Sequence, residues 1–213
     1  MNASKASLAT NDAGRGRIAL PAPQIGAGMP VEQALRSRRS IREFDSKPLS
    51  LAEVSQLVWA AQGTTSPEGY RTAPSAGALY PLDVYLVTGE VTGLSAGVYF
   101  YDPRAHELAR VAPDDRRRQL SDAAFAQRWI GKASAVIVLT AVFRRTTRKY
   151  GERGHRYVYL EAGHAAQNVY LQATSLGLST TTVGAFRDER VNAVLELPQE
   201  AQPICLLPIG FPG

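Results

Sequence analysis

Residues 155–177, HRYVYLEAGHAAQNVYLQATSLG, have the length and pattern of one long α-helix that ends at Gly177. Between Tyr157 and Leu176 the only residue with a formal charge is Glu161. A helix that is apolar on almost every side must be buried on most of them. We therefore expect this helix at the centre of the core, or in a subunit interface where a two-fold dimer pairs it with its own copy.

The rest of the chain mixes helical and β-prone segments. A capping box of Ser50 and Glu53 opens the clearest helix, at 50–63, and further helices are predicted at 30–38, 114–125 and 188–197. Strands are predicted at 82–88, 97–102, 106–112, 133–143 and 203–210, with a β-prone segment at 179–185, a loop at 64–81 and a basic connector at 144–154. Because the mixing is irregular, we expect an α+β fold rather than a doubly wound sheet.

Length and composition limit the function only loosely. The 213 residues suit one domain at 30–213 after a loosely held arm at 1–29. The net charge of +5 permits nucleic-acid binding, but no nucleic-acid-reading motif is present. No apolar run approaches the ~20 residues of a membrane span. One cysteine, Cys205, in an apolar run suggests a buried thiol. We expect a cytoplasmic protein that binds neither nucleic acid nor membrane.

Two common kinds of site are missing from the sequence. His106, His155 and His164 are scattered and no second cysteine is present, so we predict no metal site. We interpret His164, which lies within the long helix, as a core or interface histidine. No G-x-G-x-x-G follows a strand, so a dinucleotide-binding fold is not expected.

The segment RSRRSIREF, residues 36–44, places four arginines within seven positions. The planar guanidinium group matches the oxygens of a phosphate and stays charged. Arg38, Arg39 and Arg42, with the hydroxyl of Ser40, could surround one phosphate. A solvated basic face is the alternative, and charge alone favours it.

Two other segments could present backbone amides to a ligand. APSAGALYP, residues 73–81, is a loop whose small residues permit a close approach of the backbone. The segment 179–188 joins a strand to a helix through Gly184 and Ala185. A plain surface turn and an ordinary connection remain the alternatives.

Lys149 and Tyr150 lie in the basic connector among several arginines. Such a pair could act as an acid or a base near neutral pH. Adjacent residues point apart on both helices and strands, so we expect an irregular segment if both side chains reach one substrate. The alternative is a solvated loop.

Taken in order, these segments resemble the FMN-dependent nitroreductase family, and especially its SagB-type dehydrogenases, which oxidise azolines in modified peptides. The resemblance is carried by RRSIREF (38–44), LVWAAQG (57–63), RTAPSAGALYPLDVYLV (71–87), GVYFYDP (97–103), the segment 149–178 and VGAF (183–186). It implies an α+β sandwich whose central, mainly antiparallel sheet is flanked by helices. It also implies a homodimer with one FMN in each of two interface sites.

The resemblance also implies roles for individual residues. Arg38, Arg39, Ser40 and Arg42 would bind FMN from one subunit, Pro74, Ser75, Ala76 and Ala78 from the other, and Gly184 and Ala185 would lie along the flavin. Many relatives carry an asparagine at the place of Ala78 and basic phosphate ligands after the last strand. This sequence shows neither, so we expect phosphate binding to depend on the N-terminal arginines.

In the azoline-oxidising subgroup a Lys–Tyr pair is catalytic, and it falls on Lys149 and Tyr150. The resemblance implies a two-electron dehydrogenation in which one of the pair removes a proton while the flavin accepts a hydride. One alternative is a nitro or quinone reductase that uses NAD(P)H as reductant. Another is a flavin-binding subunit that is inactive without a partner protein. The substrate, a small molecule or a modified peptide, is left open.

Overall fold

The computed structural model describes residues 16–26 and 28–213, so most of the predicted arm lies outside the described residues. The elements are β1 (Arg17–Ala19), α1 (Val31–Ser37), β2 (Leu49–Ser50), α2 (Leu51–Gln62), β3 (Leu82–Thr88), β4 (Val91–Thr92), β5 (Gly97–Asp102), β6 (Glu107–Pro113), α3 (Arg117–Ala123), β7 (Ala135–Ala141), α4 (Arg144–Tyr150), α5 (Arg153–Ser175), β8 (Ser179–Thr180), α6 (Asp188–Leu195) and β9 (Gln202–Gly210). Short 3₁₀ turns lie at Ala76–Ala78 and Ile130–Lys132.

Seven of the strands form one antiparallel sheet in the order β1-β6-β5-β3-β7-β9-β8. Strands β2 and β4 pair separately and in parallel. Every residue of β7 is buried, as expected for a central strand covered on both faces. Helices α2 and α5 cover one face of the sheet, and α3 and α6 cover the other. The predicted α+β sandwich with a central antiparallel sheet is therefore confirmed.

Strand β7 shows how the pleat divides the core. Ile137 and Leu139 belong to the apolar cluster under α2 and α5, whereas Val136 and Val138 belong to the cluster under α3 and α6. Full burial of each such side chain stabilises the fold by about 1.5–3 kcal/mol. Cys205, on the neighbouring β9, is buried as predicted, and burial raises the pKa of its thiol to about 12.

Local sequence signals set the ends of α2. The Ser50 side chain accepts a hydrogen bond from the Glu53 amide at 3.2 Å, and the Glu53 carboxylate accepts one from the Ser50 amide at 2.7 Å. This is the predicted capping box, and it satisfies two amides that have no partner within the helix. Gly63 follows the last helical residue, also as predicted.

Helix α5 has two different faces. Val158, Ala162 and Ala165 belong to the core, whereas Tyr159 and Leu160 are 58% and 54% exposed. His164 also lies on the exposed face, so it is not a core histidine, and the interface interpretation stays a prediction. The helix therefore buries one side in its own fold and leaves apolar side chains on the other.

The prediction of a basic connector at 144–154 is wrong. Residues 144–150 form α4, Gly151 turns the chain with φ +56°, and α5 begins at Arg153. The arginines and the lysine of this segment favour a helix, and Thr146 on its inner side is buried. The solvated loop and the irregular segment considered from the sequence are both replaced by helix.

Within residues 16–26 and 28–213, no helix combines the length and the apolar composition that a bilayer span needs.

Candidate active site

The structure brings the arginine-rich segment next to the strand-to-helix connection at 179–188. Ser40 pairs with Thr180 in a parallel bridge, and the Ile41 amide donates to the Thr180 carbonyl at 3.2 Å. The Tyr170 hydroxyl of α5 accepts a hydrogen bond from the Thr182 amide at 2.7 Å and lies 3.2 Å from Ser40 Oγ. We call Arg38, Ser40, Arg42, Gly184 and Ala185 together the arginine half-site.

Tyr170 is a residue at this half-site that the sequence motifs do not indicate. Burial raises the pKa of its hydroxyl, but the hydrogen bonds that it makes with Ser40, Thr181 and Thr182 outweigh burial, so the pKa lies below its usual value. Its ring lies 5.2 Å from Arg38 Cζ, measured to the ring centroid. The hydroxyl of Tyr170 on an otherwise apolar helix is a sequence signal for a polar contact. The partners of this hydroxyl come from distant segments, so the sequence does not identify them.

The guanidinium groups of Arg38, Arg39 and Arg42 make different contacts. Arg42 Cζ lies 5.8 Å from the ring centroid of Trp129, and Arg38 lies over Tyr170. Arg39 Nη1 instead donates to the carbonyls of Arg36 and Arg38, at 3.0 and 2.8 Å, and so turns back towards the end of α1. Among the residues that the structure describes, no carboxylate oxygen lies within 4.0 Å of these three guanidiniums.

The predicted Lys–Tyr pair meets the predicted small-residue loop at Gly77. A Cβ atom added to Gly77 would lie 2.7 Å from Tyr150 Oη and 2.9 Å from Lys149 Nζ. Gly77 has φ +64°, and Ala78 has φ +53°. We call Lys149, Tyr150 and residues 74–78 together the lysine–tyrosine half-site.

The contacts at Gly77 show how Lys149 and Tyr150, which are adjacent in a helix, can both reach one site. Their Cβ atoms leave the helix in different directions, as expected. Both side chains are long, however, and both belong to the last turn of α4, which ends at Tyr150. Lys149 Nζ also lies 5.3 Å from the ring centroid of Tyr150, so the two side chains lie close to each other as well as to Gly77.

Helix α5 separates the two half-sites. It reaches Ser75 through Glu161 and Ser40 through Tyr170. These two α5 residues are about 13 Å apart along the helix axis and about half a turn apart around it. One copy of the chain therefore brings together the arginine half-site, which consists of Arg38, Ser40, Arg42, Gly184 and Ala185. It also brings together Lys149, Tyr150 and the 74–78 turn. The two half-sites lie on opposite sides of α5.

The residues of the arginine half-site fit the phosphate-bearing end of FMN. Two guanidiniums without carboxylate partners among the described residues provide positive charge beside exposed backbone. A Cβ atom added to Gly184 would have no heavy atom within 4 Å, so a flat ligand can approach the backbone there. The Ala185 carbonyl is already engaged, since it accepts from Gln127 Nε2 at 3.2 Å.

Residues 35–211 match the sequence model of the nitroreductase family. The chain belongs to the nitroreductase family. It is therefore a nitroreductase-family oxidoreductase, and the match includes both half-sites. A crystal structure assigned to the nitroreductases, from Ralstonia eutropha JMP134, has a TM-score of 0.83 and 32% sequence identity over 92% of this chain and 90% of that chain.

Three curated relatives illustrate the range of this family. MJ1384 of Methanocaldococcus jannaschii, which bears a nitroreductase name, is 46% identical over 180 residues, 84% of this chain and 90% of that protein. The microcin B17-processing protein McbC of Escherichia coli is 30% identical over 163 residues, 73% of this chain and 59% of McbC. An NADPH-type FMN reductase of Bacillus subtilis is 25% identical over 195 residues, 85% of this chain and 65% of that protein.

Proposed function

We propose that this protein is an FMN-dependent dehydrogenase of the SagB type, which oxidises an azoline ring in a modified peptide. The observation that carries the proposal is the convergence of Lys149 Nζ and Tyr150 Oη on Gly77. An amine nitrogen and a phenol hydroxyl at one exposed turn are the kinds of group that remove a proton from carbon in general acid–base catalysis. The similarity to McbC, which is named for peptide processing, supports the same reading.

The cofactor would be held by both half-sites. Arg38 and Arg42 would bind the phosphate with the Ser40 hydroxyl, while the backbone of Gly184 and Ala185 would lie along the ring. Arg39 would contribute indirectly, because its guanidinium holds the end of α1. The contacts from the second half-site would come from Pro74, Ser75, Ala76 and Ala78. Bound FMN supplies a two-electron acceptor for hydride.

We further propose that the working form is a homodimer. The half-sites lie on opposite sides of α5, so one copy does not bring them together around a single flavin. The exposed side of α5 carries Tyr159 and Leu160, and the nearby α1 carries exposed Val31 and Leu35. Apolar side chains of this kind are suited to burial against a second copy. A single buried cysteine needs no oxidising compartment, which supports a cytoplasmic location.

Lys149 and Tyr150 would then have different roles in the reaction. Lys149 Nζ or Tyr150 Oη takes the proton from the ring carbon, and the other holds the substrate at the 74–78 turn. Val142 and Phe143, between β7 and α4, are buried and so anchor the start of the helix that carries the pair.

The visible spectrum of the purified protein is the first test. We expect a yellow protein that releases FMN on denaturation. Anaerobic stopped-flow mixing with a thiazoline or oxazoline peptide should then bleach the flavin. A protein that stays colourless after incubation with FMN would contradict the proposal.

A nitro or quinone reductase that uses NAD(P)H is the second candidate. The similarity to MJ1384 and to the FMN reductase of Bacillus subtilis favours it. The same stopped-flow experiment separates the two. Fast bleaching by NADH or NADPH, with no response to the azoline peptide, would identify the reductase.

A further inference from the structure

The Tyr170 hydroxyl joins two segments of the chain that meet at the arginine half-site. It accepts a hydrogen bond from the Thr182 amide at 2.7 Å, and it lies 3.2 Å from Ser40 Oγ and 3.5 Å from Thr181 Oγ1. Ser40 and Thr182 are exposed residues, whereas Thr181 is buried. The phenol oxygen therefore connects the exposed hydroxyl of Ser40 to the backbone of the connection after β8.

Helix α5 holds the Tyr170 side chain more firmly than the loop holds Ser40. Val169 and Ala173, which lie beside Tyr170 on this helix, are 0% and 1% exposed, and the Tyr170 ring packs against the same core cluster. Arg38 Cζ lies 5.2 Å from the centroid of this ring. A side chain that is already ordered by packing loses little further entropy when it makes its hydrogen bonds. Tyr170 can therefore orient Ser40, rather than the reverse.

The direction of these hydrogen bonds follows from the groups that can only donate. The Thr182 amide donates to the Tyr170 oxygen, so the phenol hydrogen is free for another partner. Ser40 Oγ and Thr181 Oγ1 are the two acceptors in reach, and Ser40 is the closer. A doubly ionised phosphate can only accept, so a phosphate at Ser40 takes the Ser40 hydrogen. Ser40 Oγ is then left as an acceptor, and its hydrogen-bond partner among the described residues is Tyr170.

We propose that Tyr170 is a positioning residue for the phosphate of FMN: its hydroxyl donates to Ser40 Oγ and thereby turns the Ser40 hydrogen towards the ligand. The hydrogen bonds from the Thr182 amide to Tyr170, from Tyr170 to Ser40 and from Ser40 to the phosphate then run in one direction. Hydrogen bonds aligned in this way strengthen one another. This inference rests on the proposed function, because it takes Ser40 as a ligand of the FMN phosphate.

Tyr170→Phe tests the inference, because it removes the hydroxyl and keeps the ring beside Arg38. Flavin-free protein is titrated with FMN and, separately, with riboflavin, which lacks the phosphate, and flavin fluorescence gives each Kd. We expect the Kd for FMN to rise about three- to tenfold, as for the loss of one hydrogen bond, and the Kd for riboflavin to stay within about twofold. Tyr159→Phe is the control, since it removes an exposed phenol hydroxyl from the same helix and should change neither value.

A double-variant cycle shows whether Tyr170 acts through Ser40. Ser40→Ala should itself weaken the binding of FMN, and Tyr170→Phe should then cause no further loss, because the serine that it orients is absent. Additive losses in the double variant would mean that the two hydroxyls act independently, and they would overturn the proposal. So would equal weakening of FMN and riboflavin binding in Tyr170→Phe, which is the result expected if the hydroxyl only supports the fold.

Thr181→Val keeps the test decisive if Tyr170→Phe does not fold. It removes the competing acceptor of the phenol hydrogen and leaves Ser40 as the acceptor in reach. The Kd for FMN should then stay the same or fall, whereas a rise would overturn the proposal. A wild-type protein that binds no FMN would refute the proposed function together with this inference. A protein that binds FMN but does not oxidise an azoline would leave the inference standing.

Discussion

Arg145 and Asp83 form a bidentate ion pair in which the two N–O distances are 2.7 and 2.9 Å. The pair ties α4 to the central strand β3 one helical turn before Lys149. The Asp83 side chain is 16% exposed, so Asp83→Asn leaves the guanidinium without its charged partner. We expect a loss of about 1–2 kcal/mol in the free energy of unfolding, measured with urea, since Arg145 is partly solvated.

Arg144→Ala is the matched control for this prediction. Arg144 lies 4.0 Å from Glu200, and both side chains are largely exposed. Its removal should change the free energy of unfolding by no more than about 0.5 kcal/mol. Equal losses in Asp83→Asn and Arg144→Ala would show that the bidentate pair does not hold α4.

Gly77→Ala should damage the active site more than the fold. The new methyl group would meet Tyr150 Oη and Lys149 Nζ, and the positive φ costs about 1–2 kcal/mol for alanine. We expect turnover of an azoline peptide to fall at least about tenfold. Gly93→Ala is the control, because Gly93 has φ +81° with no atom near its Cβ position. Equal activities of the two variants would argue against the convergence.

Tyr150→Phe should separate chemistry from packing. The ring of Tyr150 lies edge-to-face on Tyr157 at 5.1 Å, and phenylalanine keeps that contact. Loss of the hydroxyl should lower kcat about 10²- to 10⁴-fold while the flavin content stays unchanged. Tyr157→Phe, which changes the other ring of the same contact, should retain kcat. If both variants lose activity equally, the Tyr150 hydroxyl has no chemical role.

Arg38→Ala and Arg42→Ala should weaken FMN binding. Loss of a charge-assisted hydrogen bond costs about 1.5–3 kcal/mol, so we expect Kd to rise about 10- to 100-fold in each variant. Quenching of flavin fluorescence on titration into flavin-free protein measures this. Arg39→Ala should raise Kd less, because that guanidinium already donates to backbone carbonyls. A larger effect at Arg39 would reverse our assignment.

Glu161 should also make stability depend on pH. Its carboxyl group titrates near 4.5 in the unfolded chain and at about 7 in the folded protein. Between these values the folded state binds more protons than the unfolded state, so stability falls as the pH rises from about 4.5 to about 7. The change is up to about 3 kcal/mol. Urea unfolding should lose this slope in Glu161→Gln and keep it in Glu152→Gln.

Local patterns predicted the regular elements well. Strand β3 occupies the predicted residues 82–88, and α2 differs from its prediction by one residue at each end. Ser50, Glu53 and Gly63 explain this accuracy, because caps act within a few residues of the chain. The sheet order could not be read in the same way, since it depends on pairings between distant strands.

Helix α4 and the supports of the site could not be predicted from local patterns. Helix α4 has no apolar stripe, and Arg145 is fixed by Asp83, 62 residues earlier in the chain. Tyr170 and Glu161 obtain their partners from segments that are far apart in sequence. The residues that touch the candidate ligand follow from the family resemblance, whereas the residues that hold them follow only from the packing.

The half-turn between Glu161 and Tyr170 on α5 has a genetic consequence. If each active centre takes one half-site from each copy, Arg38→Ala and Tyr150→Phe damage different halves of the same centre. In a mixed dimer both defects then fall in one centre, and the other centre is intact. Two inactive alleles expressed together should therefore complement each other, and each mixed dimer should show up to about half of the activity of a wild-type dimer.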